Sequence, residues 1–191
     1  VILDLIGFGI VMPVLPFWAT DFGANGFLYG LIQSGYAVTQ FAFAPVWGRL
    51  SDRFGRRPVL LTTIAGTSAS LVWLGLADSL PGLFAARLLA GAFAANISVA
   101  SAYITDVTED EERTRWMGML GASFGIGFLL GPAIGGLLAP YGYAVPMLFA
   151  GGLAAVNFVF ALFALPEPPR HEVAESPTGR FALLRDPAVR R

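Results

Sequence analysis

Six stretches of this chain, at residues 1–18, 27–47, 59–77, 82–105, 114–138 and 144–165, are apolar almost without interruption. A helix rises 1.5 Å per residue, so about 20 such residues match the roughly 30 Å of hydrocarbon in a bilayer. Barrel strands alternate apolar and polar side chains over about ten residues, whereas these runs are continuous, so helices are expected. Charged residues make up only 13% of the chain and hydrophobic ones 55%, against about 25% charged in ordinary soluble domains. The composition is that of an all-α membrane protein. The chain enters an apolar helix at Val1 with no basic segment of the kind that opens a signal peptide, as expected of a chain truncated at its N-terminus.

Charge placement assigns sides. All 12 basic residues are arginine. Arg49, Arg53, Arg56 and Arg57 follow the second run, Arg113 and Arg115 follow the fourth, and Arg170, Arg180, Arg185, Arg190 and Arg191 lie in the tail. Successive crossings alternate direction, so these three segments share one side. The opposite loops carry no basic residue and only Asp21 and Asp78. Positive residues stay inside, which makes the even-numbered loops and the tail cytoplasmic, with 166–191 the start of a cytoplasmic central loop. The acids between Asp106 and Glu112 weigh little in this rule.

Absences narrow the chemistry. A Walker A loop needs lysine, and the chain has none, so an ATP site is not expected. Zero cysteine removes disulfides and thiolate chemistry. His171 stands alone in a Pro/Glu-rich tail and reads as a solvated loop residue, since metal sites need several ligands. No cofactor, metal or nucleic acid is implied. The partner implied by composition is membrane lipid, and any energy source would be an ion or solute gradient.

Within the hydrocarbon zone, formal charge falls at two positions, Asp4 in the first run and Arg87 in the fourth. A charge at the bilayer centre costs about 2.5–3.5 kcal/mol on insertion scales, so such residues usually face a cavity or a partner. A carboxylate that is charged or neutral according to the side it faces suits proton carriage; the plainer reading of Asp4 is a helix-start acid favoured by the dipole. Arg87 either snorkels to the outer interface or projects into a cavity. Gln33, Tyr36, Gln40, Asn96, Tyr103 and Asn157 are the other polar groups in the spans. Interhelical hydrogen bonding accounts for most residues of this kind, and the first five are candidate cavity-lining residues. The sequon Asn96-Ile97-Ser98 lies inside a span. The fifth run, GMLGASFGIGFLLGPAIGGLL, places small residues three and four apart around Pro132, which fits a close-packing face, a flexible gate, or both.

The stretch GRLSDRFGRRPVLL asks why Arg49, Asp52, Arg53, Arg56 and Arg57 gather between two uncharged spans. Topology explains the arginines and leaves Gly48, Asp52 and Gly55 unexplained. Gly48, Asp52, Arg53, Gly55, Arg56 and Arg57 resemble the cytoplasmic loop signature of the major facilitator superfamily. Gly118, Gly127, Gly131, Pro132, Gly135 and Gly136 resemble its antiporter motif, and Arg87 with Gly91 a third. LDLIGFGIVMPVLP, YAVTQFAFAPVWGRLSDRFGRRPVLL, AYITDVTEDEER and FGIGFLLGPAIGG look like the drug:proton antiporters of twelve helices, most of all the bacterial tetracycline efflux branch, over nearly all of 1–170.

The resemblance implies the N-terminal bundle of a major facilitator fold, six transmembrane helices in a 3+3 inverted repeat, lacking its C-terminal six-helix half. It implies proton-coupled efflux of small amphipathic compounds from the bacterial inner membrane by alternating access, and no enzyme activity. Asp4 and Arg87 would couple the proton, Tyr36 and Gln40 would serve transport, and Asp52, Asp106 and Arg113 would belong with the arginine motif in a gating loop. The tetracycline exporters carry an acid where this chain has Ser70, and serine holds no charge there. A facilitator-type importer of a sugar or metabolite shares the fold and the loop motif, but the antiporter motif argues against it. A non-transporting membrane scaffold would carry Asp4 and Arg87 at a cost without return. A membrane enzyme lacks a visible catalytic constellation.

Overall fold

The computed structural model describes residues 1–166; the tail arginines, His171 and the start of the central loop lie outside the described residues. Seven α-helices follow one another: α1 (Ile2–Asp21), α2 (Gly26–Phe54), α3 (Arg56–Gly75), α4 (Leu80–Phe93), α5 (Asn96–Val107), α6 (Asp110–Leu138) and, after a 3-10 turn at Ala139–Tyr141, α7 (Ala144–Ala164). With α4 and α5 taken together as one rod, five are long and apolar enough to cross a membrane. The rod left out is α2, which the sequence reading placed among six apolar spans. It has 29 residues. At 1.5 Å each that is length enough for the bilayer, but Gln33, Ser34, Tyr36, Thr39 and Gln40 dilute its hydropathy. Three of these, Gln33, Tyr36 and Gln40, turn towards α4 and are satisfied there.

Two expectations about boundaries change. The arginine motif is helical rather than a loop: α2 runs on to Phe54, α3 begins at Arg56, and the whole connection is Gly55. Gly55 has φ 106°, a region that residues with a Cβ rarely enter, which is why glycine is required there. The fourth span is not one helix, for it breaks at Ala94 and Ala95. Helix breaks without proline need another way to satisfy the freed carbonyls. Here α2 provides it, as Trp47 Nε1 donates to Ala92 O at 2.6 Å and Gln40 Nε2 to Ala94 O at 3.2 Å.

The strongest packing pairs α1 with α6, α3 with α7 and α2 with α4; α1 with α7 and α3 with α4 come next. Exchanging α1 with the α4–α5 rod, α2 with α6 and α3 with α7 turns this set into itself. The bundle therefore has the contact pattern of two three-helix units related by a pseudo-two-fold axis, and an odd number of crossings inverts the second unit. One apolar cluster forms around Ile10, Leu15, Leu74, Leu83 and Met147, a second around Val59, Leu60, Ile64 and Val99. Large apolar side chains such as Phe41, Leu129, Val156 and Phe163 face outward, as expected of a surface wetted by lipid.

The two readings of the fifth span separate by face. A Cβ on Gly131 would lie 2.5 Å from Gly9 Cα, one on Gly127 would lie 2.7 Å from Leu5 Cβ, and one on Gly135 would lie 2.9 Å from Ile10 O. These three glycines, four apart, let α6 rest on the backbone of α1. Gly118, Gly121, Gly125 and Gly136 meet nothing within 4 Å. The helix continues unbroken through Pro132.

Gly131→Ala is expected to destabilise the detergent-purified protein by about 1–3 kcal/mol through overpacking. Gly152→Ala, whose added Cβ meets nothing within 4 Å, is expected to stay within about 0.5 kcal/mol. Thermal denaturation of the two variants decides, and equal losses would contradict backbone contact between α1 and α6.

Candidate functional site

A cavity of about 220 Å³ opens inside the bundle, and every helix from α1 to α6 contributes to its wall. Its polar lining is Asp4, Tyr36, Gln40, Thr67, Arg87 and Asn96. The two charges that the sequence places at membrane depth, on the first and fourth rods, thus share one chamber. Asn96 reaches it because α5 starts at that residue after the break. Gln40 lines it while holding the break through Ala94 O.

Arg87 does not snorkel. It is 3% exposed, its Nη2 donates to Gln33 Oε1 at 2.9 Å, and its guanidinium carbon lies 4.1 Å from the centre of the Tyr36 ring. Gly91, one turn along α4, lies directly against the backbone carbonyl of Tyr36, and this close approach brings the arginine over the ring. A desolvated cation–π contact is worth about 2 kcal/mol, which with one charged hydrogen bond is comparable to the cost of a charge at this depth. Gln33 stands behind the arginine and is not part of the cavity lining.

Asp4 turns its carboxylate to α7, where Asn157 Nδ2 donates to both oxygens at 3.0 Å. The contact joins residues 153 apart in sequence. Asp4 also lines a second cavity, of about 470 Å³, together with Tyr103, Glu112, Trp116 and Asn157. Tyr103, expected beside Tyr36 and Gln40, belongs to this second chamber, and its hydroxyl donates to Pro166 O at 2.8 Å. Ser70 is fully buried and donates to Gly66 O at 2.6 Å. Thr67 was missed among the candidate site residues; the run of small polar side chains from Thr62 to Ser70 in an otherwise apolar span was the available signal.

At the other end of α2, four residues of the arginine motif and its surroundings come together. Arg56 Nη1 lies 2.6 Å from Asp52 Oδ1 and donates to Ser51 Oγ at 2.6 Å, and its Nε donates to Asp106 Oδ2 at 2.8 Å. One guanidinium therefore ties together α2, α3 and α5. Arg57 leaves the group, donating from Nη2 to Leu162 O at the end of α7 at 2.7 Å. Arg53 lies over its neighbour Phe54, and Arg113 donates to Thr105 O at 3.4 Å. A Cβ on Gly48 would enter open space, so no contact among the described residues requires glycine there.

The side chains of Asp52, Arg56 and Asp106 are 57%, 20% and 29% exposed. Solvent screens such pairs to about 0–1 kcal/mol each, and the more buried one should couple more strongly. In double-mutant cycles read by thermal denaturation in detergent, Arg56–Asp106 is expected to couple more strongly than Arg56–Asp52, both at or below about 1 kcal/mol. The reverse order would count against Asp106 as the principal partner.

The family model described as Major Facilitator Superfamily matches residues 1–190. The tetracycline resistance protein, class E, of Escherichia coli is 41% identical over 170 residues, 87% of this chain and 42% of that protein. Multidrug resistance protein 2 of Bacillus subtilis (strain 168) is 32% identical over 168 residues, 87% of this chain and 42% of that protein. The crystal structure of the human organic anion transporter MFSD10 (TETRAN) superposes with a TM-score of 0.77 at 30% identity, covering 88% of this chain and 46% of that one. This chain spans about half the length of the curated relatives it matches. Fold, motifs and relatives agree, and the chain belongs to the Major Facilitator Superfamily of membrane transporters.

Proposed function

We propose that this chain is the N-terminal half of a proton-coupled exporter of small amphipathic compounds, embedded in the inner membrane of a bacterium. The observation that carries the proposal is the shared chamber of Asp4 and Arg87, in a chain whose relatives include proteins named for tetracycline and multidrug resistance. Neither charge would be retained at membrane depth without use.

In this reading Asp4 takes and gives up the proton. When it is ionised, the Asn157 amide donates to it and ties α1 to α7; when it is protonated, that tie loses its charge and weakens. Arg87 sets the field of the chamber, and Tyr36 and Gln40 offer it an aromatic face and an amide. All six rods cross the membrane, α2 included, with the arginine-rich ends of α2 and α3 on the cytoplasmic side, as the positive-inside rule requires. The missing C-terminal six-helix half completes the cavity. Rocking of the two bundles opens it alternately to either side.

Asp52, Arg56 and Asp106 lock the cytoplasmic end of this half, the arrangement against which the partner half would close. A preference of a few kcal/mol between inward and outward states is enough to set such an equilibrium. The open face of α6, along Gly118, Gly121, Gly125 and Gly136, faces the partner bundle.

Asp4→Asn in the full-length protein is expected to abolish dye efflux driven by an imposed pH gradient in proteoliposomes, with the variant still purifying as a folded monodisperse species. Efflux that persists under the gradient removes Asp4 from the coupling step. Asp52→Ala is expected to raise the labelling rate of a cysteine introduced on the cytoplasmic side, and an unaltered rate would argue against the lock.

A further inference from the structure

Three buried polar atoms in the wall of the 220 Å³ cavity have no hydrogen-bond partner: Arg87 Nε, Thr67 Oγ1 and Asn96 Oδ1. Buried polar atoms are nearly always paired, because an unmade bond in a low-dielectric interior costs the full desolvation of the group. Three on one wall mark a surface that something else completes.

One of the three is cationic, and its pairing is unusual. Arg87 forms no salt bridge among the described residues. The acid in the same wall, Asp4, gives both oxygens to Asn157 on α7. Gln33 takes one of the five N–H donors of the guanidinium, and Tyr36 covers one face of its plane. What remains is a rigid fork of donors in the cavity wall, whose geometry matches a carboxylate or sulfonate better than any neutral group. Around it the wall is apolar and aromatic, with Phe8, Val11, Leu71 and Phe124.

We propose that Arg87 is the anion-receiving group of this cavity, and that the compounds it takes include amphipathic organic anions. The acidic oxygens sit on the guanidinium, the apolar body lies against Phe8 and Phe124, and the side-chain oxygens of Thr67 and Asn96 accept from a hydroxyl or amino group on the same ligand. This rests on the reading of the cavity as the substrate site.

The test uses the full-length protein purified in detergent and two probes of one shape, 1-naphthoate and its uncharged counterpart 1-naphthamide, with binding measured by titration calorimetry. The wild-type protein is expected to bind naphthoate about tenfold or more tightly than naphthamide. That ratio should fall close to one in Arg87→Gln and be partly kept in Arg87→Lys, which restores the charge without the fork. A wild-type ratio at or below one overturns the proposal, with no variant required; it is the outcome expected if an acid from the partner half already occupies the arginine. A ratio unchanged in Arg87→Gln overturns it as well. The efflux reading fails separately, if a pH gradient drives transport of no dye while naphthoate still binds through Arg87.

Discussion

Helices in hydrocarbon gain little by burying leucine against leucine, since lipid offers the same contact. What holds this bundle has to come from backbones that touch and from polar groups that find each other. Both are visible at the largest interface, where Gly127, Gly131 and Gly135 let α6 press onto the main chain of α1 around Gly9. The same close contact anchors α1, whose first turn carries Asp4 into the interior. At the symmetry-related interface between α2 and α4, Gly91 brings α4 onto the carbonyl of Tyr36 and delivers Arg87 to the ring. Each buried charge is thus presented by a helix that glycine has allowed to come close.

This arrangement gives the polar side chains of α2 a structural reason. Gln33, Tyr36, Gln40 and Trp47 make that helix less apolar than the other rods, yet each meets a group on α4 or on the break beyond it. Polar residues that lower the apparent suitability of one span for the membrane satisfy the charge and the open carbonyls of another. On the proposed reading, in which α2 also crosses the membrane, the two rods enter hydrocarbon as a pair.

Much of the fold was legible in the chain because its signals are local. Apolar run length placed the rods, and the spacing of Gly127, Gly131 and Gly135 announced a helix–helix contact. The requirement for glycine at 55 was visible in the motif, although its cause, a positive φ in a one-residue connection, was not. What stayed hidden depends on distance in sequence. Nothing in the surroundings of Asp4 points to Asn157, and nothing near Ala94 indicates that Trp47 and Gln40 hold a break there. Asp4 and Arg87 could be named as charges at depth, but their sharing of one chamber needed the packing of six helices. Tyr103 was assigned to that chamber on polarity and span alone, and the turn of α5 carries it to the other.

The connection at Gly55 has a consequence of its own. Where helices are joined by several residues, each can tilt while the linker absorbs the change. Between α2 and α3 a single residue leaves no slack, and Arg56 is fastened to acids on both sides of it. The pair therefore behaves as a bell-crank: leaning α2 must swing the foot of α3, and with it Asp106 and the end of α5. Of all the links between rods, this is the one whose length cannot drift without disengaging the lever.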